Sequence, residues 1–181
     1  MGRPSDAAEV LDLARSRPAT LGSGRLVCVD GPSGSGKTTL GLAVARLSPV
    51  VRVVHLDALY DGWHGLPRLD DQLASLLTPL AADRPGSYRR YDWAAAAYAE
   101  TVTVPPAPLL VVEGVGSYSP AFDRLVTVLV WVEAPAEERL ARAVERDGTA
   151  YETELRQWAV DEQAHFLRTG ARERADLVLH P

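Results

Sequence analysis

Apolar positions along the chain follow two rhythms that alternate from end to end. Short continuous runs at Arg25–Asp30 (RLVCVD), Val50–Leu56 (VVRVVHL), Leu109–Val112 (LLVV) and Val126–Val132 (VTVLVWV) read as strands, with a shorter fifth at Asp176–His180. The run ending at Val132 is too evenly apolar to have a wetted face, as expected of a parallel sheet covered on both sides. Between the runs the spacing turns helical. Residues 5–17 carry Val10, Leu11 and Leu13 on one side behind a possible Ser5 cap, and residues 36–47 repeat through Leu40, Val44 and Leu47. Residues 69–82 form a third helical pattern that Pro79 bends or ends, and residues 136–147 and 151–168 form two more. Strands alternating with helices predict an α/β three-layer fold.

Residues 84–108 fit neither rhythm. A turn-like RPGSY, a run of alanines around Tyr98, an alternating TVTV and a PPAP follow one another. They are expected to belong to a substrate-side excursion, about 58–108, within a single domain spanning 1–181.

The first strand and second helix are joined by GPSGSGKT, Gly31 to Thr38, which matches G-x-x-x-x-G-K-[ST] in full. Glycines allow the backbone to turn sharply and present several N–H groups inward, and the following helix adds the positive end of its dipole. This pattern suits a phosphate chain. Its candidate binding residues are Gly31, Ser33, Gly34, Ser35, Gly36, Lys37, Thr38 and Thr39. Lys37 is expected to reach the β- and γ-phosphates, and the Thr38 hydroxyl to ligate Mg²⁺. Composition sharpens this reading, since Lys37 is the one lysine among 19 basic residues. A compact ammonium has been kept where a guanidinium would not substitute.

Two acids stand at telling places. Ligands of an open parallel sheet bind beyond the carboxyl ends of its strands. The loop leaves the first strand there, Asp57 the second and Glu113 the third. Asp57 is suited to take a proton from an acceptor hydroxyl, and Glu113 to hold Mg²⁺ directly or through water. Each could instead cap a neighbouring segment or pair with an arginine.

Charge and composition then exclude several classes. Acidic residues outnumber basic ones 24 to 19, a formal charge of −5, against the basic excess of most nucleic-acid binders. The single cysteine, Cys28, excludes an internal disulfide and a multi-cysteine metal site. No stretch reaches the ~20 apolar residues of a membrane span. The amino-terminal sequence carries neither a secretory apolar segment nor a myristoylation pattern, so a cytoplasmic protein is the expectation.

The segments VCVDGPSGSGKTTL, HLDALYDG, RRYDW, LLVVEGV and ERLARAVERDG together resemble the uridine kinase and phosphoribulokinase-like group of P-loop kinases. The resemblance runs from about Arg25 to His180. It implies a five-stranded parallel sheet of order 2-3-1-4-5, ATP and Mg²⁺, and a small-molecule hydroxyl acceptor such as a nucleoside. It also implies that Asp57 is the catalytic aspartate and that Tyr60 and the Tyr91–Asp92 element face the acceptor. The family's loop near the adenine follows the last strand, where this sequence reaches Pro181.

Arg139, Arg142 and Arg146 share one face of a predicted helix. The resemblance makes residues 139–150 a lid, with Arg142 on the phosphates and Arg146 in catalysis. The alternative is a solvated face paired with Glu138 and Glu145. Six of the 12 aromatics lie between residues 60 and 98, either packing a small subdomain or stacking on an acceptor. Arg89 and Arg90 could hold an anionic acceptor. His55, His64, His165 and His180 show no metal-ligand spacing. Rival readings are a sugar or sugar-acid kinase, or an ATP-binding switch that phosphorylates nothing.

Overall fold

The computed structural model describes residues 4–180, with the side chains of Pro4, Arg146 and Asp147 outside that description. Five parallel strands, β1 (Arg25–Asp30), β2 (Val51–His55), β5 (Leu109–Glu113), β6 (Val128–Val132) and β7 (Leu177–Leu179), form the central sheet. Their order is β2-β5-β1-β6-β7. With the sheet strands alone counted in chain order, this is the 2-3-1-4-5 order that the resemblance implies. Two further strands, β3 (Gly86–Asp92) and β4 (Ala97–Val104), pair as a separate antiparallel hairpin and shift the labels.

Strand periodicity divides the core in two. Val27, Val29, Val111, Val128 and Val130 face α1 (Pro4–Ser16) and α2 (Lys37–Leu47), meeting Val10, Leu11, Leu40 and Val44. Leu26, Cys28, Leu110, Val112, Leu129 and Trp131 face the other way. There they meet α3 (Leu69–Leu80), α5 (Glu152–Thr169) and the short α6 (Ala171–Arg174). Leu69, Leu73, Leu76, Leu77 and Leu80 give α3 its buried stripe, and Pro79 sits in its last turn, where the helix ends one residue later. Both sheet faces are covered, which explains the evenly apolar strands. Among the described residues no helix is long and apolar enough to cross a membrane.

The hairpin occupies the stretch that lacked a rhythm. Its turn is built by the Asp92 carboxylate, which accepts the N–H groups of Ala94 and Ala95, both at 3.0 Å. Arg89 lies over the Tyr98 ring at 4.4 Å, and Arg90 pairs with Glu100 through two bonds of 2.7 and 3.0 Å.

Register fixes the functional rim. Glu113 lies level with Val29 on one side and His55 on the other, so their chain exits share one edge. Asp30, fully buried, accepts N–H groups from Gly31 at 2.7 Å, Gly116 at 2.9 Å and Tyr118 at 2.9 Å. It therefore ties the turn after β1 to the loop after β5. Replacing Asp30 by alanine leaves three buried donors without an acceptor, and we expect a loss of roughly 3 kcal/mol or more in urea unfolding. An unfolding midpoint equal to wild type would show that the tie contributes nothing.

Candidate active site

The turn between β1 and α2 holds its shape through glycines that no other residue could replace. Gly34 has φ +76°, and a Cβ there would lie 2.4 Å from the carbonyl oxygen of Arg139. Gly36, with φ +102°, precedes the first residue of α2. The loop thus meets the amino end of α2 on one side and α4 (Ala136–Asp147) on the other. Gly31 gives its N–H to Asp30, and the Ser35 hydroxyl is fully buried with no hydrogen-bond partner among the described residues.

Lys37 is buried, and its Nζ donates to the Pro32 carbonyl at 2.9 Å. Burial lowers its pKa from the ordinary lysine value, and the carboxylates of Glu113, Asp30, Glu162 and Asp57 pull it back up. The Thr38 hydroxyl donates to Glu113 Oε1 at 3.0 Å. The same oxygen meets His55 Nδ1, and this bond raises the His55 pKa. Sequence reading had set His55 aside for want of a metal-ligand spacing. Its place opposite Glu113 in the β2–β5 register is the signal that could have found it.

A cavity of about 760 Å³ opens from this loop. Ser33, Gly34, Gly36, Lys37, Thr38 and Thr39 line one end, with Glu113 and Asp57 at the strand ends. The opposite wall is aromatic: Tyr60, Trp63, Trp93, Tyr151 and Trp158. Trp63 stands at its centre, with ring centroids 5.2 Å from Trp93, 5.9 Å from Tyr151 and 6.3 Å from Trp158. Trp93 Nε1 donates to the Asp57 carbonyl at 2.7 Å, so the hairpin steadies the exposed Asp57 through its backbone. Tyr60 is buried, donates its hydroxyl to the Val115 carbonyl at 2.8 Å, and has its pKa raised by burial.

Not every expected residue arrives at the cavity. Tyr91 stands behind the wall, packed on Trp93 and Tyr98, because its hairpin strand turns that ring toward the fold. Asp92 is taken up by the hairpin turn. Arg142 does line the cavity, donating to the Gly34 carbonyl at 3.2 Å and pairing with Glu138 at 2.9 Å. The pairing is that of the solvated-face reading, while the Gly34 contact puts the guanidinium on the loop. The Arg146 side chain lies outside the described residues. Tyr151, Trp158 and Glu162 were missed, because only the folded chain brings helix α5 to the loop.

No family model matches the chain. An alignment 137 positions long, covering 68% of the chain, shows 30% identity to inorganic pyrophosphatase TTM2 of Arabidopsis thaliana. The chain spans about a fifth of that protein's length. Two solved structures superpose over nearly the whole chain. One is a possible uridine kinase from Bacillus stearothermophilus, with TM-score 0.64 and 19% identity, covering 96% of this chain and 99% of its own. The other is a candidate fructose transport system kinase from a Silicibacter species, with TM-score 0.64 and 21% identity, covering 99% of each. With its parallel sheet, its G-x-x-x-x-G-K-[ST] turn and these superpositions, the chain shares the α/β fold of these two kinase structures.

Proposed function

We propose that the chain is a kinase that moves the γ-phosphoryl group of ATP to a hydroxyl of a small neutral metabolite. The observation that carries this reading is one shared cavity with the phosphate loop at one end and Asp57 on its rim. The acceptor oxygen forms a bond to the γ-phosphorus as the bond to the β-phosphate bridging oxygen breaks, and Asp57 accepts the hydroxyl proton. Lys37 exchanges the Pro32 carbonyl for phosphate oxygens. Arg142, already on the cavity wall, is placed to offset charge as the phosphoryl group transfers.

Thr38 and Glu113 would hold Mg²⁺. A single hydroxyl and a single carboxylate suit this ion, which keeps several waters and takes its other ligands from phosphates. Among the described residues no group of three or more His, Cys, Asp or Glu side chains forms a cage that would compete with that arrangement. When bound, the ion neutralises phosphate charge.

Cation placement favours a neutral acceptor over a sugar acid. Lys37 and Arg142 are the cations among the described lining residues, and both sit on the loop side. Arg89 and Arg90 are occupied by Tyr98 and Glu100. The aromatic wall suits a ring with flat apolar faces, whether nucleoside or sugar. The likeness to a pyrophosphatase favours a second reading in which water replaces the alcohol.

A panel of nucleosides, sugars and sugar acids in an ADP-release assay separates these. The kinase reading expects one neutral acceptor to raise release well above background. Release of phosphate from ATP or pyrophosphate at full rate with no acceptor would favour hydrolysis. Lys37→Ala is expected to lower turnover by about 10²–10³-fold, the usual loss when a charge-stabilising donor is removed. Asp57→Asn is expected to lower kcat by about 10²–10⁴-fold while MgADP affinity in calorimetry stays within about twofold. Wild-type turnover by the Asn variant on the identified acceptor would remove Asp57 from the mechanism.

A further inference from the structure

Helix α5 presents one buried face, Leu155, Trp158, Glu162, His165 and Thr169, at alternating spacings of three and four. Leu155 and Trp158 line the cavity. One turn further on stands a carboxylate that the proposed chemistry does not use. Glu162 is 3% exposed, and a charge so buried persists only where it is paired and hydrogen-bonded.

Its partners are on the phosphate loop and on α4. Glu162 Oε2 accepts the Ser33 N–H at 2.8 Å, and Oε1 accepts from Arg139 Nη1 at 3.2 Å. The same Nη1 donates to the Ser33 carbonyl, also at 3.2 Å, while Arg139 Nε is anchored on the Ala134 carbonyl at 3.1 Å. Both backbone polar groups of Ser33 are therefore held, the N–H by the carboxylate and the carbonyl by the guanidinium that the carboxylate orients. The next residue, Gly34, has the left-handed conformation that lets the loop pass the Arg139 backbone. A rotation of the peptide between Ser33 and Gly34 would re-aim the Gly34 N–H that enters the glycine turn.

We propose that Glu162 is a positioning residue for the phosphate loop, fixing the Ser33 peptide and the Arg139 guanidinium so that the downstream N–H groups are aimed before nucleotide arrives. The role rests on the nucleotide-binding reading of that loop. Preorganised donors cost no reorganisation on binding, and a supporting carboxylate is one way to obtain them. It also makes α5 a rod shared by the loop and the aromatic wall.

Two measurements on the full chain test this. In ¹⁵N-edited NMR of the free protein, a bond from a backbone N–H to a carboxylate shifts the Ser33 amide proton downfield and slows its exchange. Glu162→Gln keeps the size but removes the charge, and it is expected to move that resonance upfield. In calorimetry with MgADP, Glu162→Gln is expected to weaken binding by about three- to tenfold and Glu162→Ala by more than about tenfold, as befits loss of a charge-assisted contact. Melting curves establish that both variants are folded. A role confined to stability would lower the melting temperature and leave the Ser33 resonance and MgADP affinity of the Gln variant as in wild type, and that result overturns the proposal. Wild-type protein that fails to bind MgADP counts against the nucleotide reading, while the Ser33 resonance still decides whether Glu162 holds the loop.

Discussion

A carboxylate taken wholly out of water must be given hydrogen bonds, and Asp30 receives three from backbone N–H groups on two loops. Burial pushes its pKa up to about 6, against the downward pull of those donors and of Lys37. The rest of the rim depends on this tie. The turn after β1 and the turn after β5 are joined at one atom cluster, so the phosphate loop and Glu113 keep a fixed relation. The strand register then sets His55 beside Glu113 and starts the Asp57 turn at the same edge.

Above that tie, the loop is held by charges belonging to distant segments. Glu162 and Arg139 hold Ser33, and Arg142 reaches the Gly34 carbonyl. Four carboxylates, Glu113, Asp30, Glu162 and Asp57, act on the single ammonium of Lys37 and oppose the effect of its burial. The acids around Lys37 thus favour its charged form against the burial that opposes it.

How much of this was legible in the sequence follows from the range of the interactions. The five sheet strands and the loop were readable, because an apolar run before GPSGSGKT and a helical repeat after it are local signals. The hairpin was not. Its turn falls in a run of four alanines, strong helix formers, and is closed by the Asp92 carboxylate and not by an Asn-Gly or Asp-Gly pair. Asp57 and Glu113 were found because strand ends are predictable places. Glu162 and Trp158 lie over a hundred residues from the loop they approach, and no spacing along the chain announces such a contact. The resemblance puts Tyr91 at the acceptor, whereas the β3–β4 register sets its ring beside Tyr98, and Trp93, one residue past the end of β3, lines the cavity.

The proposed chemistry needs a phosphate chain in the glycine turn whose last phosphorus faces the Asp57 carboxylate across the aromatic cavity. A crystal structure with a non-hydrolysable ATP analogue and Mg²⁺ decides it. The terminal phosphate is expected between Gly34 and Asp57, with Lys37 Nζ moved from the Pro32 carbonyl onto phosphate oxygens. A triphosphate bound away from the turn, or one whose terminal phosphate faces away from Asp57 with Lys37 still on Pro32, would contradict it.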